Sequence, residues 1–333
     1  MADLSVRYMG FDLKNPIIAG SSGLTSTVDD LLRMEESGVA AIVMQSLFEE
    51  QIYLDVNYQQ ERKATEGNLI HAHYSDMFDY IESHVRSEYL SDYVQTIRTA
   101  KKKLQIPLIA SINCISSGGW TTFASRLQDA GADAIELNIA VLSLNPVLSA
   151  IDIEQLHLDI IQQVRAVVNI PVAVKISPFF TDLSHVIDGI AAMGVNGIVL
   201  FNRFFSPDID IEKMQVTVAN KYTTSNALPN TLRWIAMKSD TVSCDLCAST
   251  GVHTGGNVIQ ILLAGGAATQ VVSTLYKNGL NHISVMLSEI EEWMKKKGYR
   301  YIDQFANTMG NFNTNTPDVY ERIQFMKYYE QFE

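Results

Sequence analysis

Four polar residues end, or nearly end, short apolar runs of the chain: Asn113, Asn138, Lys175 and Asn202. Lys175 stands between Val174 and Ile176. A cation inside a run that folding buries must be paired or put to use. One such residue could be structural, but four on consecutive runs point to a binding floor made of an ammonium and three carboxamides. A second signal comes later. Ser249-Thr250-Gly251-Val252-His253-Thr254-Gly255-Gly256 leaves an apolar run and opens a helical pattern, and the last run ends in Val272-Ser273-Thr274. Exposed N–H groups at helix starts, with glycines permitting close approach, form anion sites.

The elements that must position these groups follow from the apolar runs. They are 16–20, 41–44, 107–112, 134–139, 171–176, 197–201, 245–249 and 269–273. They are nearly continuous rather than alternating, as parallel strands covered on both faces should be. Amphipathic segments of helical length lie between them, over 27–37, 91–104, 120–130, 153–168, 183–193, 228–238, 257–263 and 280–297. Several are closed by glycine (Gly131, Gly194, Gly265, Gly298), and the first starts with Thr27 ahead of two aspartates. Strand and helix alternating eight times predict an α/β fold of the (β/α)₈ TIM-barrel type. An open doubly wound sheet is the alternative, and the short helix-to-strand turns favour closure. Two connections are long, roughly 48–86 and 203–228. Both would lie at the C-terminal face, where barrel sites are built. The expected organisation is one barrel over residues 1–305 and a tail, 306–333, that docks on the barrel or a second subunit.

Composition narrows the function. The chain has 333 residues, 25 Lys plus Arg against 37 Asp plus Glu, and a net charge of −12. That surface repels phosphate backbones, so nucleic acid is not an expected partner. Neither an apolar signal segment in the first twenty residues nor an apolar stretch of spanning length is present, so no membrane is expected and a cytoplasmic setting is. Three cysteines make no disulfide framework. Cys244 and Cys247 have CxxC spacing but no second pair, and packing is the favoured reading. His71 and His73 lack an acidic third ligand, Lys101 to Lys103 read as a solvated helix end, and His253 is equally well explained by helix-start polarity.

Over nearly its whole length to about residue 305, the sequence resembles the dihydroorotate dehydrogenase family of FMN-containing barrels. Asn15-Pro16-Ile-Ile-Ala-Gly20-Ser-Ser-Gly23 is similar to that family's first strand, Ile135-Glu136-Leu137-Asn138 to its fourth, and Val174-Lys175-Ile176-Ser-Pro178 to its fifth. Gly251 through Thr254-Gly255, Leu262-Leu263 and Leu275-Tyr-Lys277 resemble its phosphate-binding end. The resemblance implies FMN across the barrel mouth, contacting Ala19, Gly20, Gln45, Ser46, Asn113, Asn138 and Lys175, with its phosphate near Gly251, Gly255, Ser273 and Thr274. Lys175 would supply positive charge to the flavin ring. Asn138, Asn145 and Asn202 would bind the substrate.

The chain also departs from the family pattern. Gln45 stands where the family has Lys, and Thr250 and Val272 where its phosphate loops have glycine. No Asn-Ser-Met-Gly-like substrate loop is recognisable in 68–80. The position of the catalytic Cys or Ser is Val141, which cannot take a proton. A two-residue insertion brings Ser143-Leu144-Asn145 into register, making Ser143 the candidate base. The implied activity is oxidation of dihydroorotate to orotate in pyrimidine biosynthesis. A soluble acceptor, or NAD through a partner subunit, would take the electrons, and a homodimer is the default assembly. The alternatives are an FMN oxidoreductase for another small ring and a non-catalytic protein binding FMN or a phosphorylated metabolite.

Overall fold

In a computed structural model of the chain, residues 2–49, 88–114, 117–141, 147–204, 206–219, 221–311 and 320 are described. All eight apolar runs become parallel strands: β1 Ile17–Ala19, β2 Ala41–Val43, β3 Leu108–Asn113, β4 Ala134–Asn138, β5 Val172–Ile176, β6 Gly197–Leu200, β7 Asp245–Ser249 and β8 Ala268–Val271. Each pairs with the next in sequence, and β8 pairs with β1 through Thr269↔Ile17, so the sheet closes. The expected barrel forms and the open sheet does not.

Among the described residues, eight helices cover the outside: α1 Val28–Glu36, α2 Glu88–Ala100, α3 Ser117–Asp129, α4 Ala150–Val167, α5 Leu183–Ala192, α6 Leu228–Lys238, α7 Gly255–Leu263 and α8 His282–Lys297. Several of their starts carry side-chain caps. Thr27 accepts from Asp30 N, Ser149 from Asp152 N and Asp182 from His185 N. The stop at Gly298 is a left-handed C-cap, a conformation that costs glycine little. The main core lies between the ring of strands and these helices, with Leu31, Met34, Ile97, Phe123, Ile161 and Ile190 facing inward.

Inside the barrel a smaller core holds Ala41, Ala134, Ala173, Val199, Cys247 and Ala268. Such small side chains leave room for a plug. An N-terminal hairpin, Val6–Tyr8 against Phe11–Leu13, sends Tyr8, Met9 and Leu13 into this space. Its turn has positive φ at Met9 (53°) and Gly10 (84°), the arrangement a two-residue hairpin requires. A Cβ on Gly197 at the start of β6 would meet the Tyr8 hydroxyl at 3.1 Å, so a larger residue there would press on the plug. Met9 N donates to the Asp245 carboxylate at 2.6 Å, fixing the plug to the foot of β7.

Near the other end of the barrel sequence, Asp3 forms a parallel bridge with Tyr301, and Asp3 N donates to Arg300 O at 2.8 Å. The connection after β6, read from sequence only as a long connection at the C-terminal face, contains a second hairpin, Pro207–Asp210 against Gln215–Val218. Most of the 48–86 connection, including His71 and His73, lies outside the described residues, as does nearly all of the tail after Asn311. Among the described residues, no helix is long and apolar enough to cross a membrane.

Candidate active site

At the carboxyl ends of the strands, three inward side chains from β4, β5 and β8 meet. Lys175 Nζ donates to Gln270 Oε1 at 2.8 Å, and Gln270 Nε2 donates to Glu136 Oε2. The second carboxylate oxygen, Oε1, lies 3.6 Å from the ammonium. All three residues are buried, Glu136 at 1 % exposure. Lys175 and Gln270 line the floor of the cleft above, while Glu136 lies beneath it. Sequence reading found Lys175 but gave Gln270 no role and quoted Glu136 only as part of a motif. The same signal, a polar residue inside an apolar run, marks Gln270 within Thr269-Gln270-Val271.

Parallel register sets Asn138 beside Lys175. Asn202, following β6, donates through Nδ2 to Asn138 Oδ1 at 2.7 Å and accepts from Arg203 N at 2.8 Å. The two asparagines are thus oriented by one another. Across the mouth, Ser21, Ser46 and Ser111 form a hydroxyl chain with Oγ–Oγ distances of 3.1 and 2.8 Å. Ser46 belongs to that chain rather than to the cleft wall. Gln45 uses its backbone carbonyl to accept from the Tyr93 hydroxyl at 2.9 Å.

The far end of the cleft is built by β7, β8 and the loop before α6. The turn after β7 has two successive left-handed residues, Thr250 (φ 77°) and Gly251 (φ 85°). The Thr250 hydroxyl donates to Phe201 O at 3.0 Å. A Cβ on Gly251 would lie 2.4 Å from Leu228 N, so the glycine is required by the close approach of α6. After β8 a short helix, Ser273–Asn278, begins at Val272 without a side-chain cap. Thr223 N donates to Ser273 Oγ at 3.1 Å, and Tyr222 stacks on Tyr276 with centroids 5.3 Å apart. Lys277 Nζ holds Thr223 O at 2.6 Å, so the segment before α6 is strapped over the start of the short helix. His253 lies beneath it, its Nε2 3.0 Å from Thr223 Oγ1. Burial, then the nearby Lys277 and His282, hold its imidazole below the usual histidine range.

The cleft encloses about 430 Å³, within the size of ordinary small-molecule sites. Of the sequence-derived residues it gathers Lys175, Asn202, Gly251 and Ser273 into its lining. Asn138 reaches it through Asn202. Ala19, Gly20, Gln45, Ser46, Asn113 and Thr274 are not part of the lining, and Thr274 Oγ1 donates to His253 O at 3.2 Å. A Cβ on Gly20 would meet Val272 Cγ2 at 2.7 Å, so the valine side chain occupies the space over Gly20. Gly255 points elsewhere. Its N–H is donated to Glu289 on α8, and α7 is capped by its own Thr254. Ser143 and Asn145 lie outside the described residues. The wall also includes Ser22, Arg203, Lys221 and Tyr222, which sequence reading missed because they sit in loops without periodic signal. Cys247 is buried in the barrel interior and Cys244 is half-buried; burial pushes the Cys244 thiol up to about 12.

These residues fit FMN. The uncapped helix start with the Ser22, Thr223 and Ser273 hydroxyls suits a phosphate, and the Lys175 ammonium with its amide neighbours suits an electron-accepting ring.

The closed barrel and the place of this cleft define a ligand-binding (β/α)₈ protein with its site at the C-terminal face. The sequence profile of the family described as dihydroorotate dehydrogenase matches residues 84–294, more than half of the chain. The protein is 23% identical over 314 residues to the dihydroorotate dehydrogenase B (NAD(+)) catalytic subunit of Thermoplasma acidophilum, covering 92% of this chain and 98% of that protein. It is 26% identical over 307 residues to the same-named subunit of Methanosarcina acetivorans, covering 89% and 92%. The chain belongs to the dihydroorotate dehydrogenase family, whose members are FMN-binding oxidoreductases acting on CH–CH bonds.

Proposed function

We propose that this protein is an FMN-dependent oxidoreductase that converts dihydroorotate to orotate, a step of pyrimidine biosynthesis, in the cytoplasm. The observation that carries the reading is the buried Lys175 ammonium at the floor of a cleft of cofactor size. Bound FMN would supply a hydride-accepting ring. The chain's own residues do the rest. Lys175 would stabilise electron density on the ring, and Ser22, Thr223 and Ser273 with the uncapped helix start would hold the phosphate. Asn138 and Asn202, already oriented by their mutual hydrogen bond, present amides to the substrate. Ser143, with Asn145 nearby in sequence, is the candidate to take the proton.

Relatives are named as catalytic subunits of an NAD(+) enzyme, which supports a partner subunit carrying electrons onward. We extend the reading to a homodimer of catalytic chains. Residues 306–333 are proposed as a docking tail, supported by hydrogen bonds from Asn307 N to Leu262 O and from Met309 N to Leu263 O, both at 2.8 Å.

An anaerobic absorbance spectrum before and after adding dihydroorotate tests the proposal. Bleaching of a bound-flavin spectrum is expected, and Ser143→Ala should abolish bleaching while FMN stays bound. A flavin spectrum untouched by dihydroorotate would move the substrate to another small ring. Absence of flavin after reconstitution would remove the cofactor assignment.

A further inference from the structure

Glu136, Gln270 and Lys175 come from β4, β8 and β5 and form one polar circuit inside an otherwise apolar barrel. Packing does not require it. The interior below is filled by Ala173, Val199 and Ala268. Replacing a buried ion pair by apolar groups of similar volume is often neutral or stabilising. A carboxylate kept in this place therefore calls for a chemical reason.

We propose that Glu136 is a positioning residue which, through Gln270, fixes the Lys175 ammonium at the cleft floor and sets the positive potential it presents to the FMN ring. The inference rests on the reading of the cleft as an FMN site.

The donor order admits a single arrangement. An ammonium only donates, an ionised carboxylate only accepts, and a primary amide does one of each at its two ends. With Lys175 Nζ on Gln270 Oε1, the Gln270 Nε2 must face Glu136. The reverse orientation would set N–H against ammonium and oxygen against carboxylate. The side chain is thereby locked by a charge at either end. Glu136 Oε1 has no hydrogen-bond partner among the described residues and faces the ammonium from 3.6 Å, so the cation is its compensation.

The ionisable groups sharing this interior are Tyr8 from the plug, Glu136 on β4, Lys175 on β5, Cys247 on β7 and, at the foot of β7 on the plug side, Asp245, whose carboxylate accepts from Met9 N. Burial pushes the Tyr8 phenol and the Cys247 thiol up, so both are neutral. Glu136 is thus the negative counterpart of Lys175. Removing its charge uncovers the cation. Breaking the Gln270 link releases the cation toward the carboxylate and away from the cleft.

The two changes should move the two-electron midpoint potential of bound FMN in opposite directions. Glu136→Gln raises it, by about tenfold in the reduction equilibrium, ~30 mV for a two-electron couple. Gln270→Met lowers it, and Glu136→Asp restores a potential near wild type. Both altered variants should still bind FMN in a titration of the apoprotein. Melting temperature is measured beside the potential, because a merely structural role would move melting alone. Flavin-loaded variants with the wild-type potential would overturn the inference while leaving the cofactor reading intact. Wild-type protein that binds no FMN would overturn both, and that outcome is recognised from its spectrum. If Glu136→Gln does not fold, the direction of the Gln270→Met shift decides alone, and an upward or absent shift defeats the inference.

Discussion

Thr250 and Gly251 share a left-handed backbone, yet substitution should treat them differently. Relieving the threonine with Thr250→Gly recovers about 1–2 kcal/mol of steric cost. It loses a hydrogen bond to Phe201 O worth about 1 kcal/mol and adds roughly 0.5–1 kcal/mol of glycine entropy. The net change should stay within about 1 kcal/mol. Gly251→Ala meets both the positive φ and the backbone of Leu228, and should cost about 3 kcal/mol or more. Paired denaturation curves would check the contrast; comparable losses would show that the close approach of α6 relaxes. At this scale Lys175 was legible because a cation between Val174 and Ile176 is anomalous in a buried strand. Glu136 was not, since its partners lie one and four strands away around the ring and no sequence spacing joins them. Gly255 misled for a physical reason: a glycine at a helix start can serve a ligand or a neighbouring helix, and here Glu289 takes its N–H.

Among the elements, the N-terminal hairpin has a clear energetic signature. Tyr8 is 1 % exposed, and its hydroxyl has the Cys247 thiol, a weak hydrogen-bond partner, beside it. Tyr8→Phe should therefore be neutral or slightly stabilising, whereas Tyr8→Ala should cost about 3–5 kcal/mol through the cavity it leaves in the plug. A Phe variant as damaged as the Ala variant would mean that the hydroxyl is used. Helix α4 carries a pH dependence. His157 is buried against the Phe180 ring edge, and burial lowers its pKa from 6.5. The folded state keeps the imidazole neutral while the unfolded chain takes up a proton near pH 6.5, so its full contribution is present above that pH and is lost as pH falls below it. His157→Leu should flatten the acid limb of stability as pH falls below about 6.5, read from melting temperatures on either side of that pH. Eight strands were visible as apolar runs because burial on both faces leaves no polar alternation. The two hairpins were not. Val6–Tyr8 and Phe11–Leu13 have three residues each, too few for a pattern. Pro207–Asp210 and Gln215–Val218 are almost wholly exposed, so no buried face imprints a period.

For the whole molecule, the cleft draws its walls from the loop after β1, from β5, from the connection before α6 and from the turns after β7 and β8. A ligand that binds only this assembled form stabilises all of them together. FMN added to apoprotein at a hundredfold its Kd should raise stability by about 2.7 kcal/mol, seen as a higher melting temperature, and no shift would disconnect the cleft from the cofactor. The local cations Lys175, Arg203 and Lys221 make this possible on a chain of net charge −12, because a cleft focuses its own field. The bridge between Asp3 and Tyr301 has a consequence of another kind. It sets the first residues of the barrel against the end of its last helix, so the eight βα units form a ring with no natural beginning. Joining those two points with a short linker and reopening the chain at the exposed tip of the 207–218 hairpin would produce a circular permutant with every barrel pairing retained.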